Sequence, residues 1–408
     1  MSLLAAIAAA LVAVLAVGGC SLLGQAAAAP AGEPVFGTLV TEPDHVEDEV
    51  RAGVTGAMVE LSWAQAEPAP GRFDEDYLGS VRTEIDTLRA AGRPVSLGLG
   101  LHATPDWVLA LPDARFVNQD GAVSAEANLV FAQDARVAAE GYLSEVARQL
   151  DLAGVAAVRL TSGGSPEVLY PGGGYWAFDR HAQTGAGLPP SMPPNPLPGW
   201  RPGTPGPDPG RVRAWADWYV GALADVVGWQ LDTLGRLGFR GSYEVVTPGV
   251  GVQPGDYDRA VREGLPSGLL GSGAAWQVLY AALPRRSDLL AYVSSVADGS
   301  GGDDGCRADD VAALDGAPDG TTTAWSATRW IAAVARRNGF GVAGENPGWH
   351  QSDALDALYV DTSGTGMMAA AVRQARSCGL VAFYWAHDAQ LWDGTVPFRR
   401  YAELVGAR

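Results

Sequence analysis

The chain has 408 residues, 47% of them hydrophobic, and a formal net charge of -18. That length and apolar content are enough for one large core. The anionic balance excludes nucleic acid as a partner, because phosphate binding needs clustered Lys and Arg.

Residues 3–17 are unbroken apolar sequence. The stretch is shorter than the roughly 20 residues of a membrane span and suits the core of a signal peptide. It runs into Leu15-Ala16-Val17-Gly18-Gly19-Cys20, which resembles a bacterial lipobox. The resemblance implies a signal over residues 1–19, lipidation of Cys20 and attachment to the extracellular face of the membrane. Cleavage without lipid, or a retained anchor helix, are the alternatives, since the first basic residue is Arg51. Residues 20–34, with Ala26 to Ala29 before Pro30, read as a tether.

From residue 35 to 408, short apolar runs alternate with helical stretches, the pattern of βαβ units on a parallel sheet. Strands are expected over 35–40, 57–63, 94–101, 155–161, 241–247, 289–295, 341–344 and 379–385. Helices are expected over 77–91, 136–150, 212–237, 328–337 and 367–377, several of them ending at a Gly. Eight such units make an α/β chain of the (β/α)₈ TIM-barrel class, with long βα loops. Residues 171–210 are too rich in Pro and Gly for regular structure and follow the fourth strand. They are expected to form a loop insertion on the catalytic face, as a lid or cleft wall.

Barrel active sites sit at the C-terminal ends of the strands. Two glutamates stand there. Glu167 follows the fourth strand, after a turn allowed by Gly163 and Gly164, and Glu345 ends the seventh, before Asn346-Pro347-Gly348-Trp349. Cleavage of a glycosidic bond needs one protonated carboxyl to donate to the leaving oxygen and a second to attack the anomeric carbon or activate water. Glu167 and Glu345 are therefore the candidate catalytic pair, with Glu167 the acid of raised pKa. Glu60 and Glu244 lie inside strands two and five and would need partners if they point inward.

The same residues resemble clan A glycoside hydrolases, in particular the family 42 β-galactosidase-like branch. The resemblance rests on Glu167 and Glu345, on Leu61-Ser62-Trp63 through Glu67-Pro68 to Gly71-Arg72-Phe73-Asp74, on His102-Ala103-Thr104-Pro105-Asp106-Trp107, and on Tyr384-Trp385. It implies a retaining glycosidase acting on an extracellular oligo- or polysaccharide. Pro166 stands where the clan has Asn, and Glu167-Val168-Leu169-Tyr170-Pro171 is similar to a stretch of β-amylases, which are inverting. An inverting glucan hydrolase and a non-catalytic carbohydrate-binding lipoprotein are the alternatives.

Substrate-binding candidates are Trp63, His102, Tyr170, Tyr243, Asn346, Trp385, His387, Asp388 and Trp392, with Tyr243 expected to help orient Glu345. The 13 Trp divide between core packing and sugar platforms. With Cys20 lipidated, Cys306 and Cys378 form an even pair, expected as a disulfide in an oxidising compartment. No cofactor fingerprint or metal-ligand spacing is found, and the acidic residues Asp303, Asp304, Asp309 and Asp310 show no calcium-loop register.

Overall fold

The computed structural model describes residues 32–302, 304–316, 322–346 and 348–407. Cys20 lies outside them. Eight parallel strands close into a barrel. They are β1 (Val35–Thr38), β2 (Gly56–Glu60), β3 (Val95–Gly98), β6 (Ala157–Leu160), β7 (Ser242–Thr247), β8 (Leu289–Val293), β9 (Gly341–Asn346) and β10 (Ala382–Trp385), in the spatial order β1-β10-β9-β8-β7-β6-β3-β2. An antiparallel hairpin, β4 (Arg115–Val117) and β5 (Val123–Ala127), is inserted between β3 and β6.

The barrel strands are the eight expected ones. Most are shorter than their apolar runs. β3 stops at Gly98 because Gly100 turns the backbone left-handed, at φ 63°, where a Cβ would lie 2.1 Å from the Leu61 carbonyl oxygen. Only glycine tolerates both the angle and the approach. The long helix Pro209–Arg236 begins where the Pro-rich stretch ends. Asp208 caps it by accepting from the Gly210 and Arg211 amides, and Pro209 supplies the first-turn φ.

Side chains alternate across each strand. Met58, Val246, Leu290, Tyr292, Ala343 and Tyr384 fill the barrel interior. Their neighbours Ala57, Val59, Val245, Ala291, Val293 and Val342 pack outward in the larger core. The same parity turns Glu60, Ser96, Arg159, Glu244 and Glu345 inward, so the barrel interior holds charged and polar groups among its apolar ones.

The stretch 171–210 holds one short helix, Arg180–Thr184, and is otherwise irregular. Aromatic packing ties it to the helix Pro209–Arg236. The Trp176 amide donates to the Tyr219 hydroxyl at 2.9 Å, Trp218 Nε1 donates to the Pro193 carbonyl at 2.9 Å, and the Trp200 and Trp215 rings sit edge to face at 5.6 Å. Much of the tryptophan content is thereby spent on packing.

Cys306 and Cys378 form a disulfide across a sequence separation of 72. It joins the loop after β8 to the end of the helix Met367–Ser377. In that loop the charges of Asp304 and Asp310 are taken up by the Arg329 guanidinium, which bonds both carboxylates. Cross-linking a loop of this length stabilises by about 4 kcal/mol in the chain-entropy account. Cys306→Ser is expected to lower stability by roughly 2–5 kcal/mol, read as a drop in the denaturant midpoint at unchanged slope. A midpoint within error of the wild type would show that the cross-link constrains little.

Candidate active site

Glu167 and Glu345 meet the same strand. Inward residues Tyr292 and Ser294 lie on β8 and just past its end. The Tyr292 hydroxyl donates to Glu345 Oε2 at 2.7 Å, and the Ser294 hydroxyl donates to Glu167 Oε1 at 2.6 Å. Two residues along a strand span about 6.6 Å, so a single row of side chains holds both carboxylates over one end of the barrel.

The backbone around each glutamate explains its place. Gly163 is left-handed, φ 80°, and a Cβ there would meet Leu129 at 2.6 Å. After this turn the Val168 amide donates to the Val246 carbonyl at 2.8 Å, pinning the Glu167 segment to β7. Glu345 belongs to β9 itself, and its carbonyl accepts from the Val296 amide at 3.0 Å.

Arg159, on β6, is the hub of the charged groups inside the barrel. Its Nη2 lies 2.9 Å from Glu345 Oε2, its Nη1 lies 3.9 Å from Glu60 Oε2, and its guanidinium stands 4.7 Å over the Tyr292 ring. Glu60 lies across β3 because its partner there in the register is Gly98, where any Cβ would collide with the carboxylate. Glu244 accepts from the Ser96 hydroxyl at 2.6 Å. One buried guanidinium therefore faces three carboxyl groups, and a buried charge of that kind is tolerable only when paired.

The protonation states follow. Burial pushes Glu60 and Glu244 up to about 7, against the pull of Arg159. Burial also raises Glu345, opposed by Arg159 and the Tyr292 hydrogen bond. Glu167 is raised by burial, opposed by the Ser294 bond, and raised further by the Glu345 charge. The Arg159 cation, 2.9 Å from Glu345, favours the charged form of that carboxyl, and a charge on Glu345 in turn raises Glu167.

The remaining expected site residues divide. Burial and then the Arg159 charge lower the pKa of both His102 and His387, which places them at this end of the barrel, and His102 Nδ1 has no partner among the described residues. Asn346 follows Glu345 and binds the Ala297 amide through Oδ1 at 2.9 Å, and its Nδ2 has no partner among the described residues.

Six expectations are corrected. Trp63 has no exposed surface and stacks on Tyr142 at 5.3 Å, so it is core and not a sugar platform. Tyr170 is buried against Phe131 and Tyr219 and donates to the Tyr219 carbonyl. Tyr243 sits near the start of β7 beside Arg286 and Phe239, at the opposite end from Glu345, and cannot orient it. Asp388 is fully buried and binds the Glu42 amide and Trp392 Nε1, a structural role. Trp392 stacks on His45 and Phe398, and Trp385 is buried against Tyr359. In each case the aromatic or carboxylate serves packing because its parity or its loop turns it away from the barrel mouth.

Arg159, Tyr292 and Ser294 were not legible as site residues. A signal existed for two of them: Arg159 and Tyr292 interrupt otherwise apolar strand runs. Among the described residues no cluster of three His, Cys, Asp or Glu could hold a metal ion, and no helix is long and apolar enough to cross a membrane.

Residues 46–152 match the family model of the family 42 glycoside hydrolases, described as beta-galactosidase. The matched stretch contains the Trp63–Asp74 and His102–Trp107 motifs and ends before both glutamates. In structure the chain is similar to the catalytic domain of a beta-amylase from Paenibacillus polymyxa, with a TM-score of 0.63 at 13% identity over 92% of this chain and 98% of that one. It is also similar to a beta-galactosidase from the psychrophilic Marinomonas ef1 (TM-score 0.52, 14% identity, 86% of this chain and 54% of that one). A beta-galactosidase from the haloarchaeon Halorubrum lacusprofundi gives a TM-score of 0.51 at 16% identity over 91% and 57%. The fold is that of these glycoside-hydrolase barrels, and part of the sequence matches the family 42 model. The chain spans a little over half the length of those two β-galactosidase chains. No curated protein matches it. The clan A resemblance read from the sequence is thus met by the family match and by the fold.

Proposed function

We propose that this glycoside-hydrolase barrel cleaves O-glycosidic bonds of an extracellular oligo- or polysaccharide with retention, using Glu345 as nucleophile and Glu167 as acid and then base. The carrying observation is the pairing of Tyr292 with Glu345 and Ser294 with Glu167 along one inward row. In the first step the Glu345 carboxylate forms a bond to the anomeric carbon as the glycosidic carbon–oxygen bond breaks, and Glu167 gives its proton to the departing oxygen. In the second step Glu167 takes a proton from water, whose oxygen displaces Glu345 from the same carbon. Arg159 and Tyr292 suit a group that must be ionised at rest, and the buried Glu167 suits one that must carry a proton. His102, His387 and Asn346 are proposed to bind sugar hydroxyls.

The test is release of 4-nitrophenol from aryl β-glycosides, with the configuration of the first-formed sugar read by proton NMR. Retention supports the proposal. The Pro166-Glu167 departure and the β-amylase-like stretch to Pro171 favour a second reading, in which Glu345 activates water and the product is inverted.

We further propose that the enzyme is exported and lipid-anchored at Cys20. The support is the lipobox-like sequence together with the Cys306–Cys378 disulfide, a bond that persists outside the reducing cytosol. Cys20→Ser is expected to move the protein from the membrane fraction to the medium or periplasm and to abolish palmitate labelling. Unchanged membrane association and labelling would remove Cys20 from this role.

A further inference from the structure

Beyond the glutamate pair, a third acidic residue is built into the mouth of the barrel. Asp298 lies four residues past Ser294, in the loop after β8. The loop is held from several sides. The Val296 amide donates to the Glu345 carbonyl at 3.0 Å, and the Ala297 amide donates to Asn346 Oδ1 at 2.9 Å. The Thr328 hydroxyl donates to the Val296 carbonyl at 2.8 Å, and the Ser300 amide to the Gly249 carbonyl at 2.7 Å. Gly249 and Gly299 let the two loops close, since a Cβ on Gly299 would lie 2.5 Å from the Gly249 oxygen. The segment that carries Asp298 is thereby fixed against the end of β9, where Glu345 and Asn346 stand.

One oxygen of its carboxylate is left without a use by the fold, while Gln351 bonds the group. Asp298 Oδ1 is buried and has no hydrogen-bond partner among the described residues. Burial raises its pKa to about 7, the neighbouring Gln351 amide works against this, and the Glu345 charge adds to it. A buried oxygen without a partner costs stability, on the order of 1–3 kcal/mol. Rigid, costly polar groups of that kind are what a site needs to recognise a hydroxyl, because a ligand lacking it leaves the group unpaired.

We propose that Asp298 determines substrate specificity by accepting a hydrogen bond from one hydroxyl of the sugar held against Glu345. The proposal rests on the glycosidase reading. The role is binding and needs no proton transfer by Asp298.

The experiment compares wild type, D298A and D298N on the best-hydrolysed 4-nitrophenyl β-glycoside and on its monodeoxy analogues, with E345A as the control for the reading. D298A is expected to lose roughly 10- to 100-fold in kcat/KM on the parent sugar, the worth of a hydrogen bond to a charged group. On the one analogue lacking the recognised hydroxyl, D298A and wild type should be hydrolysed alike. D298N, which keeps an acceptor and the shape, should lose less. Equal losses on every analogue, or no loss on the parent, would overturn the proposal while leaving the reading intact. Failure of both variants to fold, seen as a lost thermal transition, would also overturn it by making Asp298 structural. A wild type inactive on all aryl glycosides, or an E345A that keeps its activity, would sink the glycosidase reading, and the Asp298 role with it.

Discussion

Glu345→Ala is expected to lower kcat by roughly four to six orders of magnitude, the scale seen when an enzyme loses its nucleophile. The fold should survive. Removing this carboxylate takes one partner from Arg159, yet Glu60 and Glu244 face the same guanidinium with pKa values near 7. Either can ionise and take over the charge pairing, so the barrel interior has a reserve against the loss. The measurement is steady-state hydrolysis beside a thermal melt. Azide should restore part of the activity of the variant, because a small anion can enter the space left by the carboxylate and attack the anomeric carbon. A folded variant that keeps more than a few per cent of wild-type turnover would remove Glu345 from the mechanism.

Replacing Arg159 by Met should have the next largest effect, and it should appear in both activity and stability. Arg159 holds the Glu345 carboxylate down against burial. Without it the pKa of Glu345 rises, so the acid limb of the kcat/KM profile, where Glu345 loses its proton, moves to higher pH. A loss of roughly 10²–10⁴ in kcat/KM is expected near the wild-type optimum. The stability effect has a definite sign. Glu60 and Glu244 have folded pKa values above their unfolded ones, so the folded state holds more protons across that window. Their contribution is fully present below the unfolded value and is lost as pH rises through about 7. Arg159 reduces that loss in the wild type. The variant should therefore melt close to wild type at pH 5 and fall well below it at pH 8, by roughly 3–5 kcal/mol for a broken buried pair. Parallel melting curves across this range would show that Arg159 does not govern these carboxyls.

How much of this was legible beforehand depends on the kind of signal. Ala57 to Leu61 and Val381 to Tyr384 are continuous apolar runs set off by helices that end in Gly, and such patterns need no knowledge of partners. The helix Met367–Ser377 was read with its observed bounds for the same reason. Glu167 and Glu345 were recognisable because both stand where a strand run ends. The aromatic assignments failed. Trp63, Tyr170, Trp385 and Trp392 occur next to strand ends, but whether a ring faces the mouth or the helices turns on a single residue of parity or on the path of a loop.

The sequence alone therefore determined the barrel class and the order of its eight units, and it singled out the two glutamates as candidates, because each is written in a local run of a few residues. Tertiary structure decided what surrounds the glutamates. Arg159 inside an apolar strand has no evident meaning until β2, β7 and β9 bring Glu60, Glu244 and Glu345 to it. Ser294 and Asp298 become site residues only once the loop after β8 is pinned to Asn346 and to the end of β9. The physical reason is that charge burial is settled by groups far apart in the chain, whereas apolar periodicity is settled by neighbours.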